Sequence, residues 1–118
     1  MRITLCGSAK FEGMFHKWNK DLTLAGHTIY ALAVYPSYME GNKNWYDDEQ
    51  KILLDLVHLD KILNSDAVVV IDVDSYIGDS TKREITWARM QGKRVYWITE
   101  NSKNMKRQGE HWAGILLP

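Results

Sequence analysis

The apolar positions of this chain alternate between two patterns. Short β-rich runs occupy residues 2–8 (RITLCGS), 28–34 (TIYALAV), 66–73 (DAVVVIDV) and 94–99 (RVYWIT). The segments between them carry near-helical spacing. Phe11, Met14, Phe15, Trp18, Leu22 and Leu24 predict a helix that stops at Gly26. Ile52, Leu53, Leu56, Leu59 and Leu63 form a stripe on a helix over 49–65, and TKREITWARMQ (81–91) predicts a third helix stopped by Gly92. Residues 35–50 read as a Pro- and Gly-punctuated polar loop carrying Tyr35, Tyr38, Trp45 and Tyr46. The segment HWAGILLP (111–118) reads as either a last helical turn or a short strand.

Strands alternating with helices imply a parallel sheet covered on both faces. The unbroken run AVVVI agrees, because a strand reads that way only when both of its faces are buried. Such sheets bind ligands beyond the carboxyl ends of their strands, where the strand order reverses. This directs attention to CGSAKFEG after the first strand and DVDSYIGDST after the third.

Composition narrows the class. A chain of 118 residues is expected to form one domain over its whole length, with one core. Lys and Arg total 15, and so do Asp and Glu, so global charge gives no reason to expect a nucleic-acid polymer or an anionic membrane as partner. The single cysteine, Cys6, excludes an internal disulfide and makes a reducing compartment the default. No signal-peptide pattern opens the sequence and no apolar run approaches a membrane span, so the expected location is cytoplasmic.

The two loops suit a nucleotide-like anion. Gly7 permits close backbone approach, Ser8 offers a hydroxyl and Lys10 a positive charge, although a solvated surface lysine reads equally simply. Gly78, Ser80 and Thr81 fall at a helix start, where free N–H groups and the helix dipole attract phosphate. Neither GxGxxG nor GxxxxGK[ST] occurs. Thr81 to Glu84 also spells a capping box, T-x-x-E. Asp74 and Asp79 suit turn and N-cap positions, whereas a carboxylate at Asp72, ending an apolar strand, is hard to explain as packing. Cys6 reads as a buried packing residue with nothing near it in sequence to activate it, and His58 as a structural histidine. His16, His27, His58 and His111 show no metal-ligand spacing, so no metal is expected.

CGSAKF, HLDKILNSDAVVVI and YIGDSTKREITWARMQGK together resemble the nucleoside 2-deoxyribosyltransferase-like superfamily, in particular its small bacterial and phage branch. CGS followed by a basic residue also resembles the phosphate loop of the 2'-deoxynucleoside 5'-phosphate N-hydrolases. The resemblance implies a three-layer Rossmann-like (flavodoxin-like) α/β sandwich with a four- to five-stranded, mainly parallel sheet. It implies a carboxylate nucleophile, Glu84, attacking the sugar C1' of a deoxynucleoside or its 5'-monophosphate, with Asp72 in the pocket and Asp79 as a further acid. A neighbouring acid would protonate the departing base, and the sugar would pass to a second base or to water. Phosphate would lie among Gly7, Ser8, Lys10, Gly78, Ser80 and Thr81. Phe11 would fill the place of an early active-site aromatic, and Trp45 and Tyr46 would stack on the base. The resemblance implies no cofactor, and a homodimer or higher homo-oligomer whose copies complete each other's pockets. The short chain and the GDST loop depart from the enzyme families, which leaves open a non-catalytic nucleotide-binding module of the same fold.

Overall fold

Every position of Ala67–Ile71 is buried, and that strand sits at the centre of the sheet. The computed structural model describes residues 1–39 and 46–118. Its elements run β1 (Arg2–Gly7), α1 (Glu12–Leu24), β2 (Thr28–Tyr30), α2 (Asp48–Leu63), β3 (Ala67–Ile71), α3 (Asp79–Met90), β4 (Arg94–Trp97) and β5 (His111–Trp112). The five strands pair in the order β2-β1-β3-β4-β5, every pair parallel. This is the α/β three-layer sandwich that the alternating pattern predicts.

The side-chain period of two divides β3 between two cores. Ala67, Val69 and Ile71 face α1, meeting Phe15, Trp18 and Leu22 together with Ile3 and Leu5 of β1. Val68 and Val70 face α2 and α3, meeting Ile62, Ile85 and Ala88 with Cys6 and Trp97. Burying apolar area at roughly 25 cal/mol per Å² makes these two layers the main stabilising term. Glu110 ties the far edge down: its carboxylate accepts from Arg89 Nε at 2.7 Å and from Trp97 Nε1 at 2.9 Å.

Three expectations change. The strand at 28–34 ends at Tyr30; β2 is an edge strand that pairs, among the described residues, with β1 alone. Beyond it the Ala31 carbonyl accepts from Lys61 Nζ at 2.8 Å instead of extending a ladder. The 111–118 segment is both of its alternatives in turn, two residues of strand followed by a 3-10 turn at Ala113–Leu116. The apolar stripe of α2 faces outward: Ile52, Leu53 and Leu56 are exposed, while His58 and Ile62 are buried. Among the described residues no helix is long and apolar enough to cross a membrane.

Candidate active site

The sheet order reverses at β1 and β3, so the connections leaving their carboxyl ends diverge and open a cleft. Its volume is about 330 Å³. Gly7 forms one wall, at φ +152° and hard against β3. A Cβ there would lie 2.9 Å from both Ile71 Cβ and the Ile71 carbonyl oxygen, so any side chain would force the two central strands apart. Ser8 and Ala9 continue the wall, α2 supplies His58 and Lys61, and the start of α3 supplies Asp79, Ser80, Thr81 and Glu84.

Gly78 is the N-cap of α3, and no side chain caps the helix. Glu84 therefore lies in the second turn. It is too far along the helix to serve the T-x-x-E capping box, and Thr81, which that reading makes the cap, is a buried residue of the first turn. The Glu84 side chain points back along the helix into the cleft floor, 16% exposed. Its Oε1 is buried with no aligned hydrogen bond among the described residues. His58 Nε2 stands 3.3 Å from that oxygen, at ion-pair distance but outside hydrogen-bond alignment. The same Nε2 lies 3.7 Å from Cys6 Sγ. Burial pushes the Cys6 thiol well above its ordinary pKa, and the negative charge of Glu84 and a hydrogen bond from the thiol to that carboxylate add to the effect. Cys6 is thus held as a neutral thiol beside the carboxylate and is a poor nucleophile.

No protein-family model matches the sequence, and no curated protein matches it. Solved structures do. A 2-deoxyribosyltransferase from Bacillus psychrosaccharolyticus superposes with a TM-score of 0.66 at 19% identity, over 82% of this chain and 71% of that one. A CMP N-glycosidase from Clostridium botulinum gives 0.55 at 19% identity, over 82% and 70%. A 2-desoxiribosyltransferase from Leishmania mexicana gives 0.57 at 14% identity, over 92% and 75%. The chain adopts the nucleoside 2-deoxyribosyltransferase-like fold.

On this deoxyribosyltransferase-like framework the expected residues separate into three groups. Glu84, Gly7, Ser8, Gly78, Asp79, Ser80, Thr81 and Tyr46 line the cleft. Asp79 does so from the rim, 90% exposed and 3.9 Å from Lys82 Nζ. Lys10 and Phe11 do not line it. Lys10 Nζ sits 3.6 Å from the centre of the Tyr76 ring, and Phe11 meets the same ring edge-on, its centroid 5.9 Å away. That cation–aromatic stack holds the rim, and Tyr76 is its member that reaches the cleft. Trp45 lies outside the described residues.

Asp72 is not among the residues that line the cleft. It is fully buried, and its carboxylate accepts from the Thr99 amide at 3.0 Å and from Ser102 Oγ at 2.5 Å. Its own carbonyl accepts from Thr99 Oγ1 at 2.6 Å. All of these bonds pin the turn that follows β4 to the end of β3. The charge at the strand end is satisfied by backbone and hydroxyl donors, the usual condition for a buried carboxylate.

His58 and Cys6 are buried as the sequence predicts, but their meeting with Glu84 at the cleft floor is what sequence reasoning missed. A signal for His58 existed. Lys51, Leu54, His58 and Lys61 recur every three or four residues on α2, opposite the apolar stripe, and this more polar face is the one turned toward the cleft. Burial lowers the pKa of Lys61, whose Nζ is held on the Ala31 carbonyl.

Proposed function

We propose that this protein cleaves or transfers at the N-glycosidic bond of a deoxynucleoside or its 5'-monophosphate, with Glu84 as the nucleophile. One observation carries the reading: a largely buried carboxylate, that of Glu84, on the floor of the cleft, at the switch point of a fold shared with 2-deoxyribosyltransferases and a CMP N-glycosidase. A carboxylate held on the cleft floor beside the Cys6 thiol and His58 Nε2 is available to attack C1' through an oxocarbenium-like transition state. His58 Nε2 faces the carboxylate from the α2 side at 3.3 Å. Asp79, on the cleft rim, is the candidate acid for protonating the departing base. Ser8 and the amide groups of the first turn of α3, with Ser80 and Thr81, form the phosphate-facing end. Tyr46 and Tyr76 supply aromatic faces for the base, which a stacked contact stabilises by ~1–3 kcal/mol.

The reading extends to assembly. Ile52, Leu53 and Leu56 of α2 are 60%, 60% and 59% exposed, and Met90 of α3 is 72% exposed. Exposed apolar side chains gathered on one helix face, as on α2, mark an interaction surface. A second copy of the chain is its occupant: the chain carries no net charge to repel a copy, and the same helices that bear the face line the cleft.

The test is incubation with each deoxynucleoside and each deoxynucleoside 5'-monophosphate, with and without a second free base, following base release by chromatography. Release into water identifies a hydrolase, and exchange without net release a transferase. Tight nucleotide binding with no turnover across the panel would replace this reading with that of a non-catalytic binding module.

A further inference from the structure

Cys6 is the penultimate residue of β1, His58 lies on the inner face of α2, and Glu84 lies in α3. They are 52 and 26 residues apart in sequence, yet Cys6 Sγ, His58 Nε2 and a Glu84 carboxylate oxygen all lie within 4.8 Å of one another. We propose that these three side chains form a site for a thiophilic divalent cation, zinc being the natural occupant, and that the ion shuts down the chemistry at Glu84. The inhibitory half of the proposal rests on Glu84 being the nucleophile; the binding half does not.

The spacing supports an ion at the centre. Zinc sits at about 2.3 Å from sulfur, 2.0–2.1 Å from imidazole nitrogen and 2.0–2.2 Å from carboxylate oxygen, in tetrahedral array. That geometry requires roughly 3.6 Å between sulfur and nitrogen and roughly 3.3 Å between nitrogen and oxygen. The observed separations are 3.7 Å and 3.3 Å. The third separation, sulfur to carboxylate oxygen, lies within 4.8 Å, against roughly 3.6 Å in that geometry. Two further features point to a ligand. Glu84 Oε1 is buried without an aligned hydrogen bond, and Cys6 and His58 are 0% and 7% exposed, so the donors are dry and fixed.

The donor set selects the metal. One sulfur, one imidazole and one carboxylate suit zinc, cobalt(II) or cadmium, and they disfavour magnesium and calcium, which take oxygen shells. On binding, the Cys6 thiol loses its proton to solvent, neutral His58 offers the Nε2 lone pair and Glu84 binds as carboxylate. The ion's two positive charges are then balanced by one thiolate and one carboxylate. His58 and Glu84 line the cleft, so the fourth position opens toward it and takes a water. A carboxylate bonded to the ion cannot attack C1', and the ion stands where the sugar would approach.

Cobalt(II) titration of the metal-free protein provides the test. The expected result is one cobalt per chain, with intense tetrahedral bands in the visible and a sulfur-to-cobalt charge-transfer band in the near ultraviolet. Zinc displaces the signal and magnesium does not. Cys6→Ser removes the charge-transfer band, and His58→Ala weakens binding at least about tenfold, since loss of even an outer-shell partner costs 10–100-fold. Circular dichroism checks that each variant is folded. Glu84→Gln, which leaves the sulfur in place, serves as a third reporter and is expected to weaken binding as well. An absence of tetrahedral bands at millimolar cobalt overturns the proposal, as does a spectrum unchanged by Cys6→Ser. Zinc binding through Cys6 with undiminished base release would uphold the site and remove Glu84 from the chemistry.

Discussion

Replacing Asp72 separates a structural carboxylate from a catalytic one. Asp72→Ala strips the Thr99 amide and the Ser102 hydroxyl of their acceptor inside a dry region. Hydrogen bonds to a charged group are worth about 1.5–3 kcal/mol each, so the loss is about 3–6 kcal/mol. That is a large share of the ~5–15 kcal/mol that holds a domain of this kind together. Asp72→Asn retains one carbonyl oxygen for the Thr99 amide, and its NH2 group donates to Ser102 Oγ, so its expected loss is only ~1–2 kcal/mol. Urea unfolding of the three proteins reads these differences from the midpoints at constant slope. The base-release rate per folded molecule reads the other half, and the Asn variant is expected to match wild type. An Asp72→Ala loss under ~1 kcal/mol, or a hundredfold drop in rate for a fully folded Asn variant, would refute the structural role.

Gly7→Ala places a Cβ 2.9 Å from Ile71 at a backbone angle that side chains avoid, and a loss of roughly 2–4 kcal/mol in urea unfolding is expected. The Glu12 carboxylate accepts from Ser37 Oγ and the Ser37 amide, and these bonds hold its pKa below the usual 4.5. A depressed folded-state pKa means the link is intact at neutral pH and lost as pH falls below 4.5 through the folded value, so amide NMR is expected to show Ser37 released only in that acid range. Leu53→Glu with Leu56→Glu puts charge on the outward face of α2, and sedimentation is expected to show wild type as at least a dimer and the double variant as a monomer.

The sheet was legible because AVVVI allows no other placement: only a central parallel strand hides all five residues. Glu84's place on the cleft floor was legible through its motif, and the structure removes the competing capping reading by starting α3 at Asp79 rather than Thr81. Asp72 misled because sequence shows that a carboxylate ends a strand but not that Thr99 and Ser102, 27 and 30 residues later, close over it. The Cys6–His58–Glu84 cluster was illegible for the same reason, since it exists only once β1, α2 and α3 are packed. The outward stripe of α2 shows the limit of periodicity, which finds an apolar face without saying whether it meets this chain's core or another surface.

The central claim is that Glu84 forms a covalent bond to the sugar. A 2'-fluorinated nucleoside or nucleoside 5'-monophosphate slows both halves of a retaining reaction, because the fluorine destabilises the oxocarbenium-like transition state. Intact-protein mass spectrometry after incubation with that analogue is the direct measurement. The expected result is a gain of one fluorosugar, or one fluorosugar phosphate, mapped by proteolysis to the peptide containing Glu84 and absent from Glu84→Gln. Base release from natural substrate with no adduct on wild type, or an undiminished rate in Glu84→Gln, would contradict it.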